Sequence, residues 1–181
     1  MSEPDLETKE VDIFRDTLLR YLGYTNEVGE SLRPLMPPVF VTGTYVVSFA
    51  YVLADAIDKS YKSWQQSHPT NVHQWASATH DFADTLVWQT FASVLVPGFV
   101  INRCVAASTW GLRKTMGAQK LTTSRLRFLP TVLGLALIPF ICHPIDMTTE
   151  KAMDAVLRPY AQKWKDTAVQ SLLARRDDDE Y

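Results

Sequence analysis

The amino-acid sequence predicts an all-α, multi-pass membrane protein with about three transmembrane helices and amphipathic helices at both ends. Within its 181 residues, three runs of 21, 18 and 18 residues (34–54, 85–102 and 128–145) carry no charge. At ~1.5 Å per helical residue, runs of about 18–21 residues reach across the ~30 Å hydrocarbon core of a bilayer. The middle of the chain also lacks acids, with no Asp or Glu between Asp84 and Asp146.

The average composition hides this distribution. The chain is 46% hydrophobic and 21% charged with a net charge of −2, and its mean hydropathy is near zero, because polar ends offset an apolar middle. Two cysteines are too few for a disulfide-stabilised secreted fold. The small net charge gives no global reason to expect nucleic acid as a partner. We therefore predict one membrane-embedded domain over 1–181.

The N-terminal segment, 1–33, is predicted to form a polar helix. Val11, Phe14, Leu18 and Leu22 recur at three- and four-residue steps, which gives it one narrow apolar face. The prolines between Arg33 and Val39 then end this helix and begin a new one. The first span is predicted at about 37–57.

The second and third spans are predicted at about 82–102 and 128–146. Pro97 lies inside the second and is expected to kink it, because proline removes a backbone hydrogen bond. Three further prolines in the third span exclude one straight rod. After it, apolar residues at helical spacing predict an amphipathic C-terminal helix at 148–176.

The N-terminus resembles no targeting signal. Its first 16 residues contain six acids, whereas secretory signals begin with a basic segment and mitochondrial presequences are rich in arginine and poor in acids. We therefore expect no cleavable presequence. With three crossings, the N-terminal segment and the connection at 102–127 would share one side of the membrane.

No catalytic motif is present. The chain contains no Gly-x-Ser-x-Gly, P-loop, dinucleotide fingerprint, His-Glu-x-x-His or Cys-x-x-Cys sequence. His73 and His80 could share a helical face, but a metal site would also require ligands such as Asp81 or Asp84. A solvated connection is favoured there. We predict no catalytic, cofactor-binding or metal-binding residues and no enzymatic activity.

Five polar residues fall near or within the predicted spans: Asp55, Asp84, Gln89, Arg103 and His143. Ionisable groups near hydrocarbon are costly unless they are paired or face a polar cavity. They could line a path for protons or solutes, or simply mark the membrane interfaces. Their positions close to the span ends favour the interface interpretation.

The connection before the third span is basic. It contains five cations and no acid, flanked by the interfacial aromatic residues Trp110 and Phe128: Arg113, Lys114, Lys120, Arg125 and Arg127. A base beside an anionic leaflet gains about 1 kcal/mol. We predict contacts with lipid or a topology signal, and no nucleic-acid binding.

Four segments resemble the mitochondrial fission process protein family, the 18 kDa mitochondrial proteins. They are FRDTLLRYLGYTNEVGE (14–30), YVLADAIDK (51–59), DTLVWQTFASVLVPGFVINR (84–103) and HPID (143–146). The resemblance covers roughly 14–103 and 128–158. It implies an integral protein of the mitochondrial inner membrane, linked to mitochondrial division and inner-membrane form, with no assigned enzymatic activity or cofactor.

The resulting expectation is a non-enzymatic inner-membrane protein that supports mitochondrial fission and inner-membrane organisation. It would engage the lipid bilayer and other inner-membrane or fission proteins, with Arg20, Asn26 and Glu27 as partner contacts at the membrane surface. One alternative is a small transporter or modulator of proton or solute conductance that uses Asp55, Asp84 and His143. Another is a soluble helical interaction protein.

Overall fold

A computed structural model describes residues 13–67 and 71–179, and this part of the chain contains helices and no strands. The N-terminal 12 residues, on which the presequence expectation depends, lie outside it. The helices are α1 (Ile13–Asp16), α2 (Arg20–Gly23), α3 (Thr25–Leu32), α4 (Pro38–Gln66), α5 (Asn71–Gln89), α6 (Val96–Met116), α7 (Ala118–Thr123), α8 (Leu129–Ala152) and α9 (Arg158–Asp179).

Three of the continuous helical segments are long and apolar enough to cross a membrane: Pro38–Gln66, Gln74–Met116 and Arg125–Ser171. Only 17% of the most apolar window of the third is buried inside the protein. The predicted fold class, all-α with three helices that could span a membrane, is therefore confirmed. The connection between the first two predicted spans is itself mostly helical, because α4 continues to Gln66 and α5 begins at Asn71.

Prolines disturb the long helices without ending them. A π-helical segment, Thr90–Leu95, joins α5 to α6 directly before Pro97, and a second one, Met153–Leu157, joins α8 to α9 directly before Pro159. Proline cannot donate a backbone hydrogen bond, and a wider turn is one way in which a helix accommodates this loss. The disturbance expected at Pro97 thus takes the form of a π-helical turn.

The long helices pack as antiparallel neighbours. Ser60 of α4 donates a hydrogen bond to the Ala78 carbonyl of α5 at 2.9 Å, and the rings of Trp64 and Trp75 meet edge to face at 4.8 Å. Arg158 of α9 bonds Asp84 of α5. α6 packs on α8 in the same antiparallel manner.

The short helix α3 lies between α4, α6 and α8, and glycines make room for it. A Cβ atom at Gly29 would lie 1.9 Å from Thr44 Oγ1, one at Gly98 would lie 2.9 Å from Asn26 Nδ2, and one at Gly134 would lie 2.7 Å from Ser31 Oγ. Small residues at such crossings let helix backbones approach closely. α3 is therefore the centre of the bundle.

The N-terminal segment differs from the single helix predicted for it. In its described part it forms α1, α2 and α3, and the Thr17 side chain bonds the Ile13 carbonyl and the Leu19 N–H between the first two. Such bonds compete with helix formation.

The direction of α3 places the N-terminal segment at a different end of the bundle from the one that the sequence predicts. α3 runs antiparallel to α4, with Gly23 against Tyr51 and Gly29 against Thr44. Arg20 therefore lies beside Asp146, at 3.7 Å. This is the end of the bundle opposite the basic connection, so residues 13–23 do not share a side with 102–127 as three crossings alone would require.

Polar and apolar side chains are distributed in the reverse of the order found in soluble proteins. The fully buried side chains include Asn26, Glu27, Glu30 and Asp55, whereas Val39 and Phe140 are 81% and 75% exposed. A large exposed apolar surface marks a contact with membrane or with another protein. The exposed surface of the long helices fits a hydrocarbon environment better than water.

Gly29→Ala is expected to destabilise the protein by about 1–3 kcal/mol, because the new methyl group overlaps Thr44. Thermal unfolding in detergent micelles, followed by tryptophan fluorescence, measures the loss. Gly43→Ala is the matched control, since no atom lies within 4 Å of its Cβ position. Equal melting temperatures for both variants would contradict the central packing of α3. Adding Thr44→Ala to Gly29→Ala should recover part of the loss.

Candidate functional site

The candidate site is the polar cluster that α3 forms inside the bundle. Glu30 is its centre: Arg33 Nε donates to the carboxylate at 2.6 Å, Asn102 Nδ2 at 2.7 Å and the Tyr45 hydroxyl at 3.1 Å. The donors come from the end of α3, from α6 and from α4. One carboxylate therefore holds three elements of the bundle together.

The hydrogen bonds decide the charge of Glu30. Burial raises the pKa of its carboxyl, but the bonds from Arg33 and Asn102 lower it by more, and the net shift is downward. Charge-assisted bonds favour the ionised form in this way. Glu30 is therefore a carboxylate paired with the Arg33 guanidinium.

Glu27, one helical turn earlier in α3, has the opposite environment. Its side chain is fully buried, Oε1 has no hydrogen-bond partner among the described residues, and the Cys142 Sγ atom lies 4.0 Å from Oε2. Burial, with a smaller contribution from the Asp146 charge, raises the pKa of Glu27 to about 8. Glu27 is therefore protonated at neutral pH and can carry a proton inside the bundle.

Asn26 connects α3 to two further elements. Its backbone N–H donates to Ser48 Oγ at 3.0 Å, and its Nδ2 donates to the Val94 carbonyl at 3.0 Å. Val94 belongs to the π-helical segment before Pro97, where backbone pairing departs from the regular α-helical pattern. Asn26 thus fixes α3 against both α4 and this irregular turn.

A second buried cluster surrounds Asp55. Lys59 donates to its carboxylate at 2.8 Å, Gln89 donates to it from α5, and Ser93 donates to Gln89 Oε1 at 2.6 Å. A cavity of about 230 Å³ lies beside this cluster and is also lined by Arg20 and Asp146. The cluster and the cavity form a polar region towards the end of the bundle opposite the basic connection.

The intramembrane residues singled out from the sequence do not assemble into one path. Asp55 and Gln89 are in direct contact. Asp84 instead pairs with Arg158, whose guanidinium also bonds Glu150 and Asp154. His143 is exposed and borders an outer cleft between α3 and α8.

Arg103, the fifth of these residues, is exposed on the outer face of α6. Its side chain bonds the neighbouring Asn102 amide oxygen. It does not mark the end of a helix, because α6 continues for another 13 residues to Met116.

Two of the three expected partner contacts are not on the surface. Asn26 and Glu27 are both fully buried, because α3 packs into the bundle instead of lying on the membrane. Only Arg20 is accessible, with its side chain 49% exposed, and it donates to the Tyr24 hydroxyl at 2.7 Å. The motif RYLGYTNEVGE therefore makes contacts inside the chain.

All five basic residues offered as lipid contacts are exposed: Arg113, Lys114, Lys120, Arg125 and Arg127. Lys114 lies over the Trp110 ring at 5.1 Å and Arg127 over the Phe128 ring at 4.6 Å. Cation–aromatic pairs of this kind suit a membrane interface. Lipid contact by these residues stays a prediction.

Sequence patterns alone do not group Glu30, Arg33, Tyr45 and Asn102 into one cluster. One local signal was present, since Glu30 and Arg33 are three residues apart and therefore neighbours on a helix. Asn102 is 72 positions away from Glu30, and nothing in a single sequence links them.

Within the described residues, no three His, Cys, Asp or Glu side chains are grouped as a metal ion would require. His80 contacts Asp81 at 2.9 Å, and the side chain of His73 lies outside the described part. The buried clusters contain acids, amides and hydroxyls. Such groups can hold helices together or exchange protons.

The raised pKa of Glu27 predicts that the stability of the folded chain decreases as the pH rises. Its pKa is about 8 in the folded chain against 4.5 for the free group, so between these values the unfolded chain releases a proton that the folded chain retains. The contribution of Glu27 to the free energy of unfolding is therefore constant below pH 4.5, and it is fully lost above pH 8. Melting temperatures in detergent should therefore fall from pH 5 to pH 8, and less so for Glu27→Gln.

Glu30→Gln is the matched control for this prediction. It should lower the melting temperature at every pH in that range, because it leaves Arg33 without its anion. Identical pH profiles for the wild type and Glu27→Gln would exclude a buried, protonated Glu27.

Comparison with known proteins gives a consistent result. The family model described as Mitochondrial 18 KDa protein (MTP18) matches residues 12–153. Proteins named mitochondrial fission process protein 1 are 50% identical in Caenorhabditis elegans over 81% of this chain and 87% of that protein. The corresponding values are 46%, 87% and 93% for Homo sapiens, and 44%, 85% and 91% for Danio rerio.

No solved structure matches the chain. The sequence relationship alone is sufficient to assign the family, because the family model covers most of the chain and the relatives share nearly half of their residues with it over most of their own length. The chain belongs to the Mitochondrial 18 KDa protein (MTP18) family.

Proposed function

We propose that the chain is a non-enzymatic, multi-pass protein of the mitochondrial inner membrane that supports mitochondrial fission and inner-membrane organisation. The observation that carries the membrane part of this proposal is the reversed distribution of side chains. Acids and amides are buried among apolar residues in the interior, while large apolar residues cover the outside of the three long helices. A soluble helical interaction protein would have the opposite arrangement.

The role in fission is supported by the names of the relatives, which describe a fission process and no enzymatic reaction. The buried polar residues support a structural function, because their hydrogen bonds join helices to one another. No nucleotide-binding or nucleophile motif is present in the sequence. The protein would therefore act through contacts with lipid and with other proteins of the inner membrane.

Two surfaces are available for such contacts. The basic connection presents exposed cations beside Trp110 and Phe128. At the other end, α9 and the π-helical turn before it leave Val156, Tyr160 and Trp164 more than half exposed. A helix with exposed aromatic and aliphatic residues between charged ones suits a membrane interface or a partner protein.

Charge reversal tests the basic connection. Arg113, Lys114, Lys120, Arg125 and Arg127 would be replaced together by Glu. The charge-reversed chain is expressed in cells that lack the endogenous relative. We expect that it no longer restores normal mitochondrial shape, because each base contributes about 1 kcal/mol of attraction to an anionic leaflet. Mitochondrial length, measured by fluorescence microscopy, is the readout.

Alkaline carbonate extraction of the same mitochondria provides the control. The wild-type chain should remain in the membrane pellet, and its release into the supernatant would defeat the membrane proposal. A charge-reversed chain that stays in the pellet and restores normal mitochondrial length would show that the basic connection is not required.

A second candidate function is modulation of proton or solute conductance. The specific observation in its favour is the cavity of about 230 Å³ that adjoins Gln89 and the Arg20–Asp146 pair. Buried ionisable groups at membrane depth occur in proton paths. Glu27 adds a buried carboxyl group that is protonated at neutral pH.

Reconstituted vesicles loaded with a pH-sensitive dye test this candidate. A conducting chain should dissipate a pH gradient faster than empty vesicles. Asp55→Asn should slow the flux because it removes the carboxylate that bonds Gln89, which lines the cavity. His143→Ala is the comparison, since His143 is exposed on the outer cleft and does not line the cavity. A flux equal to that of empty vesicles would exclude conductance.

A further inference from the structure

The outer face of α6 carries an exposed seam with the spacing of a helix-packing interface. Val96, Phe99, Arg103, Ala106 and Trp110 follow one another at steps of three and four residues, and all five are exposed. Steps of three and four residues keep side chains on one helical face, and a small residue lets another helix approach closely. In the described part of the chain, no helix covers Phe99, Arg103, Ala106 or Trp110, and Val96 borders a groove against α8.

Arg103 lies deep within the apolar part of the bundle. Val105, two residues further along α6, packs against Gly134, near the middle of the charge-free run 128–145. Asn102 and Tyr45 bond the same Glu30 side chain, and Tyr45 lies near the middle of the run 34–54. The next base along α6 is Arg113, ten residues away, which corresponds to ~15 Å of helix.

The charge of Arg103 is not balanced inside the chain. Its guanidinium bonds the neutral Asn102 amide oxygen at 2.6 and 3.1 Å and lies over the Phe99 ring at 5.5 Å. Among the described residues, no carboxylate forms an ion pair with it. Asn102 in turn donates a hydrogen bond to Glu30, but the Glu30 carboxylate already forms an ion pair with Arg33. This connected group therefore contains two guanidinium groups and one carboxylate.

We propose that the α6 seam binds a transmembrane helix of another protein that carries an Asp or Glu facing Arg103. This inference rests on the proposed membrane insertion and identifies the chemistry of one partner. An unpaired cation at this depth is costly, and a carboxylate on the facing helix removes that cost. Ala106 gives the partner backbone close access on one side of Arg103, and Phe99 provides apolar contact on the other.

A second copy of this chain does not supply the missing anion. Copies inserted by the same route share one orientation, so the acid would have to lie at the depth of Arg103. The runs 34–54 and 128–145 contain no acid. Glu27 and Glu30, the acids closest to that level, are buried inside the bundle. The carboxylate must come from a different protein.

A synthetic transmembrane helix tests the proposal directly. The full chain is reconstituted in phosphatidylcholine vesicles with a labelled Leu/Ala peptide that bears one central Glu, and association is measured by energy transfer. We expect the Glu peptide to bind the wild-type chain at least about tenfold more tightly than a matched Gln peptide. Arg103→Leu should abolish this preference.

Charge exchange provides the positive control. The Arg103→Glu variant should no longer bind the Glu peptide and should bind a peptide with one central Lys instead. A merely structural role for Arg103 would not produce this change in preference. Lys151→Leu removes an exposed cation from the end of α8 and should leave peptide binding unchanged. Melting temperatures of all variants establish that they are folded.

Three results would overturn the proposal. Equal binding of the Glu and Gln peptides would show that the seam does not recognise a carboxylate. A preference that disappears when phosphatidylglycerol is added would assign Arg103 to a lipid phosphate. Association between two labelled copies that requires Arg103 would assign the seam to self-assembly. Because carbonate extraction separately tests insertion, a chain that is inserted but ignores the peptide refutes this inference alone.

Discussion

The structure depends on the burial of one short polar helix. α3 contributes Asn26, Glu27, Glu30 and Ser31, all of which are buried, and no bilayer or apolar core accepts such a helix without partners for its polar atoms. Glycines on α3, α6 and α8 bring the backbones close enough to supply partners for most of these atoms. The long helices are thereby held by hydrogen bonds as well as by a small apolar core around Tyr51, Val52 and Val94.

This arrangement explains how the bundle would remain compact in the proposed membrane environment. Because lipid tails are as apolar as the helix surfaces, the hydrophobic effect does not drive helices together in a bilayer. Packing of small residues and hydrogen bonds between helices must hold the bundle together instead. Glu30 joins three elements, Asp55 joins α4 to α5, and the Arg158–Asp84 pair joins α9 to α5. Each bond is shielded from water or lies near an end of the bundle.

Sequence patterns predicted the long helices because length and absence of charge are local properties. They could not predict the position of α3, whose eight residues are too few and too polar to resemble a span. Arg20, Asn26 and Glu27 were placed on the surface for that reason, although two of them are buried. The pairing of Glu30 with Asn102, and of Asp55 with Gln89, depends on how distant segments meet, and no single-sequence pattern encodes it.

The continuity of α5 with α6 has a mechanical consequence. Gln74–Met116 is one helical segment of 43 residues, about 64 Å long, and therefore about twice the ~30 Å thickness of the hydrocarbon core. Its far half, α5, continues as an arm beside α4 and α9. Tilting the segment by about 10° within the bilayer would move the end of a ~30 Å arm by about 5 Å. With the proposed insertion, a small change in tilt thus becomes a displacement of several ångströms at the far end of the arm.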